Sequence, residues 1–432
     1  MGVWSKRENA TAKTCKRFTK IYNAFQNSSD IVGREETNPR NRGGKMKGNL
    51  LIVHGGGPTA VINSSLYGVL KEVSNHEEIE GVLAAQNGTG GLLAGEFIDL
   101  THVSKEDVEF LLTSPGSAIG TSRDPLEDEE YEKMITILEE NDIKYVLMNG
   151  GNGTMDTCGK LFQKCQQKNL DINVIGIPKT MDNDISITDH SPGFGSAARY
   201  IAQSVKEVAC DVRGLPIHVV VIEASGRNAG WITAASALAD PSGEYAPDLI
   251  YLPEVPFSEE KFLNDVKNLL EQKKGIVVVV SEGLTNEKGE PIVEPIFTMG
   301  RATYFGDVSA HLANLIIKEL GYKARSEKPG LLGRASIALQ SEVDVEEAIL
   351  VGREALNAVV NGESGKMVAI KRSKEEAYEI ETFLVDIKEV MMIEKTVPNE
   401  YINEMQNGVT EEFIQWCKPL IGNELPNMIS FN

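Results

Sequence analysis

The run Pro178-Lys179-Thr180-Met181-Asp182-Asn183-Asp184 gathers an ammonium, a hydroxyl and two carboxylates directly behind the apolar residues 174–177. If the run is extended, alternate side chains share a face, so Thr180, Asp182 and Asp184 are expected to point one way and Asn183 the other. One carboxylate of such a pair can take the proton of an attacking alcohol while the other holds a magnesium ion, and phosphoryl transfer needs both. An Asx-rich turn would use the same letters without chemistry. The lysine beside the acids at a strand end favours the functional reading.

Two glycine clusters, Gly55-Gly56-Gly57 and Gly150-Gly151-Asn152-Gly153-Thr154, also follow short apolar runs and precede residues spaced for helices. Backbone without Cβ atoms can approach phosphate oxygens closely, and a helix N-terminus adds partial positive charge. Either cluster alone is consistent with a merely tight turn. Two in one chain point to a polyphosphate.

The elements that must carry these clusters are legible from Asn49 onward. Leu50-Leu51-Ile52-Val53 and Tyr145-Val146-Leu147-Met148 are continuous apolar runs of the kind buried on both faces of a parallel sheet, and residues 174–177, 219–222, 249–252 and 276–280 extend the series. Strands alternating with helices give an α/β fold with mostly parallel sheets, whose ligands collect at the carboxyl ends of the strands. The tail from about 366 is expected to add helices and strands, at 375–380 and 411–417 among others.

Charge and composition exclude other classes. The 432 residues carry a net charge of −20, which opposes binding to nucleic acid or an anionic membrane. No apolar run approaches the roughly 20 residues of a spanning helix, so a cytoplasmic enzyme is expected. The five cysteines form no CxxC pair, which fits reduced structural thiols. Residues 1–48 differ in composition, with eleven Lys and Arg against four acids, and are read as a disordered basic extension. A translation start at Met46 is the alternative reading.

The order and spacing of Gly150-Gly151-Asn152-Gly153-Thr154, the 178–184 run, Gly193-Phe194-Gly195-Ser196-Ala197-Ala198 and Glu223-Ala224-Ser225-Gly226-Arg227-Asn228-Ala229-Gly230-Trp231 resemble the phosphofructokinase family, from about 49 to about 365. The resemblance implies two Rossmann-like three-layer α/β domains with the active site in the cleft between them. Residues 49–193, joined by 330–365, would bind the donor; residues 194–329 would bind the sugar phosphate; and 366–432 would be a C-terminal appendage. It implies Asp182 as the base, Asp184 and Asn152 on the metal, and Thr180 on the substrate. Arg227 would stabilise charge, with Ser225 and Gly226 beside it at the sugar. Gly56, Arg123, Gly151, Gly153 and Thr154 would cradle the donor. Glu282 would bind sugar hydroxyls and Arg334 the 6-phosphate, together with Arg325 and His218 of a neighbouring copy, which makes the enzyme a homodimer or homotetramer with shared sites.

This chain departs from the family at Asn152, where an aspartate is usual, at His218, which replaces an arginine, and at Leu331, often histidine or tyrosine. Those departures keep open a catalytically dead regulatory homologue, against which the retained Asp182, Asp184 and Arg227 argue. NAD and lipid kinases share glycine-rich loops of this kind but not the 178–184 and 225–231 runs. Two positions bear on the donor: an aspartate at Gly153 would block the α-phosphate of ATP, and Lys179 suits any polyphosphate. Glycine with lysine is read as ATP, with pyrophosphate as the alternative, fructose 6-phosphate as acceptor and Mg2+ as cofactor.

Overall fold

The computed structural model describes residues 46–429 except 216, 243–245, 300–301 and 374–376. The expected basic extension therefore lies almost wholly outside the described residues, as does the start of the 375–380 segment. Two sheets dominate. The first has seven strands in the order β13-β12-β5-β4-β1-β2-β3, where β1 is Gly48–His54, β2 Ile79–Ala85, β3 Phe97–Asp99, β4 Ile143–Gly150, β5 Asn173–Pro178, β12 Lys366–Arg372 and β13 Ile380–Asp386. Its centre is parallel, and the two outermost strands, β3 and β13, run antiparallel. The second has four parallel strands in the order β11-β6-β8-β7, where β6 is Val219–Ala224, β7 Leu249–Tyr251, β8 Ile276–Ser281 and β11 Ala324–Glu327, and between β8 and β11 the strands β9, Pro295–Met299, and β10, Ala302–Phe305, pair with each other as an antiparallel hairpin.

The apolar runs read from the sequence are these central strands, and their two-residue period explains the layering. Leu51, Val53, Val146, Met148 and Val174 enter one buried cluster, whereas Leu50, Ile52, Tyr145, Leu147, Ile175 and Ile177 enter another on the opposite face. In the second sheet Val219, Val221, Ile276, Val278 and Val280 face one cluster and Val220, Ile222, Val277 and Val279 face the other. Helices cover both faces of each sheet, so the fold is three-layered α/β twice over. Each fully buried valine contributes roughly 1.5–3 kcal/mol by leaving water. Among the described residues no helix is long and apolar enough to cross a membrane.

Residues after 365, expected to form an appendage, are woven into both halves. Strands β12 and β13 complete the first sheet. Helix Glu411–Cys417 and the turn after it place Phe413, Cys417, Leu420 and Ile421 in the core beside Phe194 and Trp231. No periodicity in the sequence could show that these elements join sheets begun some three hundred residues earlier.

The link from β5 to helix Phe194–Gly214 passes through a buried charged network. Both ring nitrogens of His190 face carboxylates, Asp189 at 2.8 Å and Glu347 at 2.6 Å, so both donate and the ring is an imidazolium. Burial alone would lower its pKa, but Glu347 and Asp189 outweigh that and hold it up at about 9. Arg372 and the Trp416 indole also donate to Asp189. Because the folded pKa exceeds the unfolded value, the stabilisation is complete below about 6.5 and disappears as pH rises through about 9. Thermal melts from pH 7 to pH 10 should lose on the order of 2 kcal/mol that His190→Gln does not lose; parallel pH profiles for the two proteins would refute this.

Candidate active site

The first glycine turn exists because two strand ends close on one side chain. A Cβ at Gly55 or Gly150 would lie 2.3 or 2.1 Å from the hydroxyl oxygen of Thr154, so Thr154 is buried between the turns as a packing element. Gly56 takes a φ of +75°, and its N–H donates to Ser122 (2.9 Å) while Thr121 donates to its carbonyl (2.8 Å). Bare backbone is thereby held open and pinned.

Three cations converge on this turn. A Cβ at Gly57 would stand 2.6 Å from Nη1 of Arg334 and 3.2 Å from Nη2 of Arg123, so both guanidiniums flank that residue. Lys179 is 2 % exposed, and its Nζ donates to the carbonyls of Gly55 (3.1 Å) and Gly57 (2.5 Å). Burial pulls its ammonium down to about 8; Arg123 and Arg334 push the same way, and Asp182 and Asp184 only partly offset them. Burial and Arg123 likewise hold Arg334 below its ordinary value. Like charges crowded at one place constitute a demand for an anion.

The acids face this cradle. Burial raises the Asp182 carboxyl, Asp184 and Glu282 raise it further and Arg227 and Lys179 oppose them, which leaves it at about 7. The segment is not extended as expected. Asn183 adopts a φ of +53° and is fully buried, so a left-handed turn separates the two aspartates. Asn183 thus turns inward through a left-handed residue and not through strand alternation; asparagine tolerates the left-handed region better than most residues.

Asp184 and Asn152 supply what a hard cation needs. Nδ2 of Asn152 donates to the backbone oxygen and to Oδ2 of Asp184, both at 3.0 Å. Oδ1 of Asn152 and Oδ1 of Asp184 are buried with no hydrogen-bond partner, two acceptor oxygens left for a ligand. They fit magnesium, which is bound by few protein oxygens and otherwise by water and phosphate. Among the described residues no cluster of three or more His, Cys, Asp or Glu suits a metal. Gly151 precedes helix Asn152–Gln167, which lacks a side-chain cap, and nothing lies within 4 Å of a Cβ built at Gly153.

The second sheet presents the opposite wall. After β6 the chain turns through Ser225, Gly226 (φ +136°) and Arg227 (φ +50°). Glu282, after β8, accepts from the N–H groups of Gly226 (3.1 Å) and Arg227 (3.3 Å) through Oε1. Ser281 donates to the Arg227 carbonyl at 3.3 Å, and a Cβ at Gly283 would lie 1.8 Å from that oxygen. One carboxylate and one glycine thus fasten the strained turn that presents the exposed Arg227 guanidinium.

Lys179, Asp182, Asp184, Arg123, Arg334, Arg227 and Glu282 all act electrostatically within this one group. Thr180 joins the group through its hydroxyl, which accepts from the Asp182 N–H at 3.1 Å. Two expected residues lie elsewhere. His218 packs edge-on to Tyr322 at 5.2 Å and accepts from the Lys323 N–H, and Arg325 is exposed on the edge strand β11, opposite Val220. Sequence reasoning missed Glu394, Lys395 and Asp124. Asp124 accepts from Thr89 (2.6 Å) and Ser122 (2.5 Å) beside Arg123, and no motif marks any of the three.

A family model described as "Phosphofructokinase" matches residues 49–359. A protein of Halomonas elongata named "Pyrophosphate--fructose 6-phosphate 1-phosphotransferase" is 36% identical over 390 residues, 87% of this chain and 92% of its own length. One of the same name from Xanthomonas campestris pv. campestris is 36% identical over 88% of this chain and 93% of its own. The crystal structure titled as a pyrophosphate-dependent phosphofructokinase from Marinobacter aquaeolei superposes with a TM-score of 0.80 at 35% identity, covering 88% of this chain and 94% of that one. A match along this much of the sequence, together with the likeness of the fold, makes the chain a member of the phosphofructokinase family.

Proposed function

We propose that this protein transfers a phosphoryl group from inorganic pyrophosphate to the 1-hydroxyl of fructose 6-phosphate, giving fructose 1,6-bisphosphate and orthophosphate. The observation that carries the reading is the convergence of Lys179, Arg123 and Arg334 on the Gly55–Gly57 turn opposite the raised carboxyl of Asp182. Pyrophosphate as donor draws its support from the names of the similar proteins, and replaces the ATP expected from Gly153.

In this reading the three cations, Arg334 among them for its place beside Gly57 rather than at the 6-phosphate expected of it, seat the donor and spread the charge that develops as the bridging oxygen leaves. Asp182 accepts the proton of the 1-hydroxyl as its oxygen attacks phosphorus, and orthophosphate departs with the electron pair of the broken bond. Arg227 stabilises the transferring group from the other wall, and Glu282, already holding the Arg227 turn, meets the sugar hydroxyls. Asn152 and Asp184 would hold magnesium, which neutralises charge on the donor when bound. Arg325 and His218, too far round the second sheet to serve this site, are assigned to the 6-phosphate bound by a second copy.

A second reading, with ATP as donor, is favoured by one observation: the space beside Gly153 is open. Steady-state assays with each donor on fructose 6-phosphate decide between them. Pyrophosphate should give a kcat/KM at least ~100-fold above ATP; the reverse ratio selects the second reading, and turnover with neither donor removes both. Any ATP use should vanish in Gly153→Asp, because the new carboxylate enters that open space, while pyrophosphate use stays within about threefold. ATP turnover that survives the substitution unaltered would contradict the steric argument.

A further inference from the structure

The segment around Glu394 and Lys395 lies beyond the residues matched by the family model, yet it touches both walls of the site. Glu394 pairs as an antiparallel bridge with Ile185, and its Oε2 accepts from Asn228 Nδ2 at 3.4 Å. The Lys395 N–H donates to the carbonyl of Asp184 (2.8 Å), and the Lys395 carbonyl accepts from the Trp231 indole (3.0 Å). Its ammonium sits 5.2 Å from the centre of the Trp231 ring and donates to Asn183 Oδ1 (3.3 Å) and to the carbonyls of Thr188 and Asp189 (both 3.0 Å).

Asn183 is the left-handed residue between the two aspartates, and its side-chain oxygen also accepts from the Ser191 N–H at 3.0 Å. We propose that Lys395 is a positioning residue for the turn that carries Asp182 and Asp184. Its single ammonium gathers three oxygens from the near and far ends of that turn, while its backbone holds Asp184 from behind. The unpartnered Oδ1 of Asp184 and the Asp182 carboxylate keep a common aim only while that turn is fixed. Removing the ammonium takes this donor from the carbonyls of Thr188 and Asp189 and leaves Asn183 Oδ1 held by the Ser191 N–H alone, which loosens the left-handed residue, and small displacements of reacting groups cost rate steeply. This inference rests on the phosphotransfer reading and adds a residue to it.

The test compares Lys395→Met with the intact wild-type chain. Folding is followed by thermal melting, kcat and KM by turnover of fructose 6-phosphate with the active donor, and metal affinity by electron paramagnetic resonance of Mn2+ in the presence of pyrophosphate. The expected result is a kcat loss of ~10–100-fold, a KM for fructose 6-phosphate within about threefold, and a half-binding Mn2+ concentration raised roughly tenfold, in a protein that melts within a few degrees of wild type. Wild-type kcat overturns the inference. So does a kcat loss matched by a loss of folded protein with unchanged Mn2+ affinity, since that signature belongs to a purely structural lysine. Should Lys395→Met not fold, Lys395→Arg, which keeps the charge but displaces its donors, is read by the same criteria. Mn2+ affinity needs no turnover, so a wild-type chain inactive on both donors would sink the functional reading and still leave this inference decided.

Discussion

Asp182→Ser should lose ~10²–10⁴ in kcat while the KM for fructose 6-phosphate stays within a few-fold of wild type. The size follows from the surroundings of the carboxylate. Burial, Asp184 and Glu282 raise its affinity for a proton, which is what a base for an alcohol requires, and Arg227 and Lys179 keep the anion accessible near neutrality. Serine is nearly as small and still polar, so the turn held by Asn183 and Ser191 survives the change. The walls around the carboxylate, Arg227 and Glu282 among them, are untouched, which is why affinity for the sugar should be spared. A large rise in KM at unchanged kcat, measured by steady-state turnover across sugar concentrations, would contradict the assignment of Asp182 as base.

Lys179→Met has the second largest expected effect and acts on the other substrate. Its ammonium is buried and bonded to the carbonyls of Gly55 and Gly57, so it shapes the donor turn as well as charging it. Methionine keeps the volume but leaves the carbonyls of Gly55 and Gly57 without that donor and removes one of three charges. A loss of ~10³ in kcat/KM for the phosphoryl donor is expected, with KM for fructose 6-phosphate much less altered. A second readout follows from the same crowding. Because burial, with Arg123 and Arg334 adding to it, depresses the lysine to about 8, a bound polyanion should raise it again and draw in a proton. Calorimetric titration of pyrophosphate at pH 8 in buffers of different ionisation enthalpy should show proton uptake by wild type and less by Lys179→Met. Equal uptake by both proteins would mean the donor does not sit against Lys179.

The sequence exposed the core of this site because its parts are local. Glycine turns, the 178–184 run and the 225–231 run each lie within a few residues of a strand end, and apolar runs announce those strands. What stayed hidden is carried by distance along the chain. Nothing near Lys395 shows that it returns to Asn183, and nothing after residue 365 shows that β12 pairs with β5. The extended reading of residues 180–184 failed for a different reason: alternation was assumed where Asn183 takes a positive φ. His218 and Arg325 mark a third case. Family spacing assigned them to substrate, and within one chain they stand apart from the group around Asp182.

The account turns on where the donor lies. A crystal structure of the inactive Asp182→Ser variant with pyrophosphate, Mg2+ and fructose 6-phosphate addresses that directly. The donor should rest on the 55–57 turn in contact with Lys179, Arg123 and Arg334, the metal between the Asn152 and Asp184 oxygens, and the sugar's 1-hydroxyl opposite position 182. A donor bound away from that turn, or a sugar whose 1-hydroxyl faces elsewhere, would contradict the mechanism at its root.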